Sequence, residues 1–300
     1  MHPVVTLALC AAWPEPTPGE MPYVTALREA GFDLRVGLWN GDQSAFHGVD
    51  LVVLRGTWDY HRDLAAYRDW LAGLAEAGVA VANPVPLVLW NLDKAYLIEL
   101  ASRGIALPDQ AILPLDLPAA QALLAAKGWQ KAVAKPTAGG SGHGVTLVTP
   151  ETLASLWPEI AAAVTPHRLL LQEFVPEIAS GGQVSFIFYN GVFSHAAQLV
   201  PQAGEFRINS KFQPIRQAFH PSPDVLAQAR AVLAALPGAE QGAPLYARID
   251  GIFRGMQFVL LEAEVNEPGL FLDLDPQAGQ RFAAATLHWV EKAKTQKVSV

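Results

Sequence analysis

The chain has 300 residues, 51% hydrophobic and 16% charged, with a formal net charge of −7 and a single cysteine, Cys10. That composition describes a globular chain long enough for two or three subdomains and excludes a disordered one. The acidic balance argues against a nucleic-acid partner, the lone cysteine excludes an internal disulfide, and no apolar run is long enough to span a bilayer, so a cytoplasmic location without a membrane partner is expected.

Strand and helix patterns alternate up to about residue 90. Strands are predicted over residues 4–10, 33–38, 51–54 and 79–82, and helices over 22–30 and 62–77. In the second helix Leu64, Tyr67, Leu71 and Leu74 recur at the three- and four-residue steps of one buried face. Gly31 and Gly78 follow the helices where a left-handed cap is wanted. The alternation implies a small parallel α/β sheet, in which ligand-facing loops lie beyond the C-terminal strand ends. Two unusual loops hold that place, AAWPEPTPGE and RGTWDYHRD.

A second unit opens at NPVPLVLWNLDKAYLIELASRGIALP, where Asn91 or Asp93 can cap a helix carrying Tyr96, Leu97 and Leu100, and Gly104 ends it. A helix over 118–127, a strand over 131–135, a glycine loop, a strand over 145–148, a helix near 150–164 and a strand over 168–173 come next. The remainder is rich in strands (VSFIFYNGVFSHAAQLV, LYARIDGIF, QFVLLEAEV), with one helix near 223–236 and another at the C-terminus. The expected division is residues 1–90, 91–175 and 176–300, an α/β fold with an N-terminal parallel unit and two β-rich units behind it.

The loop in AVAKPTAGGSGHGVTLV carries four glycines between two apolar runs, with Lys135 at its root. A P-loop needs a Lys-Ser/Thr pair leading into a helix, and a dinucleotide fingerprint also opens a helix. Here the β-branched VTLV comes after the loop, so a strand is next and the loop is the tip of a hairpin. Glycine-rich backbone lets N–H groups approach a polyphosphate closely, at an ordering cost that a bound ligand would offset.

Four segments resemble, in chain order, the motifs of the ATP-grasp superfamily, which holds D-alanine–D-alanine ligase, bacterial glutathione synthetase and the ribosomal-protein glutamate ligase: NLDKAYLIELASRGIALP, AVAKPTAGGSGHGV, LLLQEFVPEI and LYARIDGIF…LLEAEVNEPG. The resemblance covers about residues 90 to 275 and implies an ATP-grasp fold clasping ATP and one or two Mg²⁺ ions, with Mn²⁺ as a substitute. By resemblance Lys94 and Lys135 lie along the phosphates, Gly140, Ser141 and Gly142 form the flap, and Glu173, Phe174 and Val175 the adenine hinge. Many relatives read Gly-Glu where this chain has Gln183, which leaves the ribose to Gln183 or Glu177.

Mg²⁺ wants oxygen ligands, and Asp250, Glu262, Glu264 and Asn266 share even parity, hence one face on each strand. With a turn over residues 254–256, Asp250 lies opposite Leu260, and either Glu262-x-Glu264 or Glu264-x-Asn266 completes the set. Arg248 shares the face of Asp250, and Arg207 is a second candidate for an acyl phosphate or a substrate carboxylate, assisted by Asn209 and Lys211. The Gly269 N–H is a candidate oxyanion donor.

These readings predict an ATP-dependent carboxylate–amine ligase that works through an acyl phosphate on a small amino-acid-like substrate, as a homodimer or tetramer. The loop RGTWDYHRD also resembles an ATP-grasp subgroup that includes the ring-closing ligase of D-cycloserine biosynthesis; Arg55, Trp58, Asp59 and Tyr60 then line a pocket for a zwitterion. The rival readings are a small-molecule kinase on the same scaffold and a nucleotide-binding module without turnover.

Overall fold

The computed structural model describes residues 2–298 other than Ser141. The N-terminal unit runs β1 (Val4–Leu9), α1 (Met21–Glu29), β2 (Asp33–Leu38), β3 (Leu51–Gly56), α2 (Leu64–Glu76) and β4 (Val81–Ala82). Its sheet is parallel throughout, in the order β2-β1-β3-β4. Asp63 caps α2 by accepting the Ala66 N–H at 3.0 Å, and Tyr67, Leu71 and Leu74 form its buried stripe. Gly31 and Gly78 take positive φ, +81° and +67°, as the left-handed caps require.

The second unit comprises α3 (Val85–Asn91), α4 (Tyr96–Ser102), β5 (Gln110–Leu113), α5 (Leu117–Lys127), β6 (Ala132–Pro136), β7 (Thr146–Val148), α6 (Leu153–Val164) and β8 (Leu169–Glu173). Its sheet, β5-β8-β6-β7, is antiparallel and packs Ala132, Ala134, Leu169 and Leu171 against Leu124 of α5 and Leu153 and Ile160 of α6. The glycine loop joins β6 to β7 as a hairpin, with Ala132 opposite Val148.

The third unit is α7 (Glu177–Gly181), β9 (Gln183–Tyr189), β10 (Val192–Val200), β11 (Ile215–Phe219), α8 (Pro223–Ala234), β12 (Tyr246–Arg254), β13 (Gln257–Glu264) and α9 (Ala278–Val298), with sheet order β11-β10-β9-β12-β13. The β12–β13 register corrects the one expected. The turn is two residues, Arg254 pairing with Gln257, and Gly255 takes φ +61° at its first central position. A bulge beside Asp250 then moves the pairing by one residue, so Asp250 faces Glu262 and Arg248 faces Glu264.

The first and third units share a core. Tyr23 of α1 stacks on Phe282 of α9 at 3.8 Å, Tyr189 stacks on Phe282 at 4.7 Å, and Val5, Leu7, Leu27 and Tyr246 join the same cluster. This packing holds the loops at the C-terminal ends of the parallel strands against the chain beyond β13. Four elements, α3, β5, α7 and β11, have no counterpart among the sequence expectations. β11 is exposed along most of its length, so it shows no inward–outward alternation to read.

Candidate active site

Three strands and the start of one helix bring charge together. Lys94 precedes α4, with its main-chain N–H bonded to the Thr137 carbonyl at 2.7 Å. Its Nζ lies 3.0 Å from Glu262 on β13, and Lys135 Nζ, from β6, lies 3.8 Å from the same carboxylate oxygen. Burial pulls the Lys135 ammonium down to about 8, and the nearby Lys94 charge adds to that despite Glu262. Burial acts on Lys94 too, but the closer Glu262 outweighs it and lifts Lys94 above its ordinary value. Burial disfavours the Glu262 charge, yet the two lysines and Arg248 win and hold its carboxyl low.

On the facing strand Arg248 forks onto Asp250, Nε at 3.0 Å and Nη2 at 2.9 Å, and Nη2 also reaches Glu264 at 2.6 Å. Burial, together with the charges of Asp250, Glu262 and Glu267, pushes Glu264 upward although Arg248 opposes it. Three acids thus face three cations, Lys94, Lys135 and Arg248, and crowding by its neighbours holds Glu264 toward its protonated form.

Beyond β13 the main chain forms a shelf whose carbonyls are taken one after another by side chains. Val265 O accepts from Asn83 Nδ2 (2.7 Å), Asn266 O from Tyr246 Oη (2.6 Å) and Glu267 O from Trp58 Nε1 (3.0 Å). Pro268 O accepts from Arg55 Nη2 and Gly269 O from Arg248 Nη1, both at 2.8 Å, and His195 Nε2 sits 2.8 Å from Leu270 O. With the carbonyls turned to these donors, the N–H groups of Gly269 and Leu270 have no protein acceptor among the described residues.

The glycine hairpin closes over this region. Tyr60 Oη reaches Gly139 O at 3.4 Å, and a β-carbon at Gly140 would stand 3.6 Å from the Trp58 carbonyl and 3.7 Å from His61 Nδ1. Gly142 takes φ +70°, and a β-carbon there would lie 2.6 Å from Asn209 Oδ1. At the hinge the Phe174 ring meets Phe206 edge-on at 6.1 Å, and Val175 is buried with Ile252, Val259 and Leu261. Arg254 bridges Glu173 and Glu177, each at 2.8 Å, which leaves Glu177 Oε2 buried and unpartnered.

Comparison with known proteins finds chains similar to this one in sequence and in fold. Residues 5–83 match the model of the D-cycloserine synthetase DcsG N-terminal domain. The chain is 27% identical over 275 residues to the cycloserine biosynthesis protein DcsG of Streptomyces lavendulae, covering 88% of this chain and 91% of that protein. The crystal structure of D-cycloserine synthetase DcsG superposes with a TM-score of 0.85 at 25% identity, over 96% of this chain and 99% of that one. The chain is an ATP-grasp ligase. The ATP complex of D-alanine–D-alanine ligase from Bacillus anthracis shares the fold, with a TM-score of 0.72 at 15% identity over 99% of each chain. The class is that of ATP-dependent carboxylate–amine ligases, enzymes that form C–N bonds and release ADP.

In this ligase Lys94, Lys135, Asp250, Glu262, Glu264 and Arg248 converge, whereas other expected residues lie elsewhere. Arg55 is fully buried, forked onto Glu20 at 2.9 and 2.7 Å, donating to Pro268 O and lodged against Tyr246, while its Nη1 has no partner. Asp59 points back into the N-terminal unit, where Trp39 Nε1 (2.7 Å) and Asn40 Nδ2 (3.0 Å) take its two oxygens. Arg207 pairs with Glu205 at 2.7 Å and stacks on Phe212, and Lys211 is exposed over the same ring, so neither meets Arg248 or the acids. Gly269 stays beside this cluster: Arg248 donates to its carbonyl at 2.8 Å, and its N–H has no protein acceptor among the described residues. Asn266 is 3% exposed, its Oδ1 accepts from Tyr67 Oη at 2.8 Å, and its Nδ2 is buried without a partner. Gln183 is buried with its amide on Ser185, and Ser141 lies outside the described residues.

Asn83, His195 and Tyr246, which hold the shelf, carry no sequence signal of their own, because their partners are distant carbonyls. Glu267 was legible in principle, since it sits inside the EVNEPG motif.

Proposed function

We propose that the ligase binds Mg²⁺–ATP between the glycine hairpin and the β12–β13 face, phosphorylates the carboxylate of a small amino-acid-like substrate, and lets an amine displace phosphate. The pair Lys94 and Lys135, sharing one Glu262 oxygen, carries this reading. Two buried ammoniums on one carboxylate are a poor structural device and a good counter-charge for a polyphosphate. The orphaned Glu177 Oε2 suits a ribose hydroxyl, which favours Glu177 over Gln183 for that contact.

The donor set fits a divalent cation, being carboxyl oxygens throughout, although no three acids among the described residues already stand as a metal site. Asp250, Glu262 and Glu264 would hold it, or Asn266 in place of Glu262, with the second lone pair of its Oδ1 beside the Tyr67 bond. A bound Mg²⁺ would neutralise charge on the transferring phosphoryl group. Arg248, beside these acids and tied to Gly269, lies where a developing oxyanion needs a cation, and the unpartnered N–H groups of Gly269 and Leu270 supply donors. The hairpin, seated on Tyr60 and Asn209, excludes water that would hydrolyse an acyl phosphate.

The similarity to DcsG along nearly the whole chain favours a second reading, ring closure, in which carboxylate and amine belong to one molecule. The three-part division of the chain, a dimeric or tetrameric assembly and a cytoplasmic setting complete the proposal; among the described residues no helix is long and apolar enough to cross a membrane.

ADP release screened over pools of amino acids and amines, together with product mass, tests it. Phosphate freed with a dehydrated product supports a ligase, phosphate retained on the product a kinase, and ATP binding without ADP a passive module. Lys135→Ala and Glu264→Ala are each expected to abolish phosphate release with the fold intact; full turnover in both refutes the proposal.

A further inference from the structure

Four acids surround the cleft, and three of them have cations: Asp250 and Glu264 share Arg248, and Glu262 holds Lys94. Glu267 is different. Among the described residues its carboxylate makes no ion pair and no side-chain hydrogen bond, only a contact with its own N–H. Its main chain is pinned, because the carbonyls of Asn266, Glu267, Pro268 and Gly269 are each held by a different side chain. Glu267 lies near the buried phenols of Tyr60 and Tyr67 and, of the charged groups, acts on both most strongly. Trp58 donates to its carbonyl and meets Trp13 edge-on at 5.6 Å.

Burial lifts the Glu267 carboxyl to about 7, so a cation brought beside it would favour its ionised form. A carboxyl group without a partner near aromatic side chains matches a small organic cation, which gains from both the carboxylate and the ring faces. We propose that Glu267 receives the ammonium group of the ligase's substrate, with Trp58 and Tyr60 as its aromatic wall. A substrate carboxylate would then lie toward Arg248 on the other side of Gly269, so a zwitterion spans the shelf. This deepens the proposed function and rests on its amino-acid-like substrate. The role is one of binding, and no proton transfer is assigned to Glu267.

The test compares wild type with Glu267→Gln, which keeps shape and loses charge. ADP release is measured with D- and L-amino acids, each paired with its N-acetyl derivative. Free-amine compounds are expected to drive release and N-acetyl ones not. In Glu267→Gln the KM for the amine substrate rises roughly 10- to 100-fold while KM for ATP and the Mg²⁺ midpoint stay within about twofold. Because the native carboxylate has no partner to lose, the variant is expected to melt no lower than wild type. A lower Tm marks a structural role, and a shifted Mg²⁺ midpoint a metal ligand. Either result overturns the assignment, as do unchanged amine kinetics, equal activity of N-acetyl compounds, or no amino acid that drives release. A thermal shift with Mg²⁺–ADP separates the two claims. Its absence refutes the nucleotide reading, whereas its presence beside any of those outcomes refutes only the role of Glu267.

Discussion

Glu262→Gln removes the charge that Lys94 and Lys135 share while keeping the side chain's shape. At an effective dielectric near 20, the attraction between Lys94 and Glu262 at 3.0 Å is about 5 kcal/mol, and removing one member of a buried pair costs about 3–5 kcal/mol. The Lys135 share depends on pH. Its folded value already lies at about 8 against an ordinary 10.5, and losing Glu262 drives it lower. A base whose folded pKa is depressed destabilises the fold while protonated, and the penalty fades as pH rises toward the unfolded value. Because Lys135 can shed its proton, its extra cost in the variant is capped. The cap is near zero at about pH 8 and above, about 1.4 kcal/mol at pH 7 and about 2.7 kcal/mol at pH 6. Lys94, held above its ordinary value in the wild type, adds a share that does not reverse this slope. Urea unfolding monitored by tryptophan fluorescence, without nucleotide, at about pH 6, 7 and 8.5 measures the gap between the proteins. The gap should narrow as pH rises. A gap that is constant, or that widens, would refute the claim that Glu262 holds the Lys135 proton.

The same depressed lysine makes nucleotide binding pH-linked: phosphate charge should restore its proton, so Mg²⁺–ADP binding takes up a proton at about pH 9 and none through this group near pH 7. Calorimetry in buffers of differing ionisation heat checks this, and no uptake at the higher pH would remove Lys135 from the phosphate site. Arg55→Met leaves Glu20 buried without its fork and the Pro268 carbonyl without a donor, an expected loss of about 3–5 kcal/mol in urea unfolding. Pairing it with Glu20→Gln should recover part of that loss. Gly251→Ala places a β-carbon 2.4 Å from the Phe258 ring and 2.5 Å from the Val259 carbonyl beside the bulge. The expected cost is about 1–3 kcal/mol in thermal or urea unfolding, with phosphate release falling as Asp250 and Glu262 lose register.

Legibility tracked the range of the interaction that forms each feature. The stripe of α2 and the positive-φ glycines at 31 and 78 are decided within one or two turns of chain, and the pattern shows them directly. The glycine hairpin was legible for the same reason, since the strand after the loop in sequence is also its neighbour in space. The pairing of Asp250 with Glu262 was not. One residue of turn length and one bulge alter which side chains oppose each other, and parity alone is blind to both. Arg55, Asp59 and Arg207 carry the right chemistry for a pocket, but Glu20, Trp39 and Glu205 satisfy them first.

From the amino-acid order alone came the alternation of elements, the identity of the cations and acids, and the ATP-grasp resemblance of their motifs, because local propensity and spacing are properties of neighbouring residues. Tertiary structure decided which charges cancel and which remain open. Arg248 is shared by two acids, two lysines by one, and Glu267 is left without a cation, as packing of the N-terminal unit against the chain after β13 aims each side chain from afar. Charge pairing in a buried cleft varies over ångströms, a scale on which residues hundreds of positions apart meet and sequence distance carries no information.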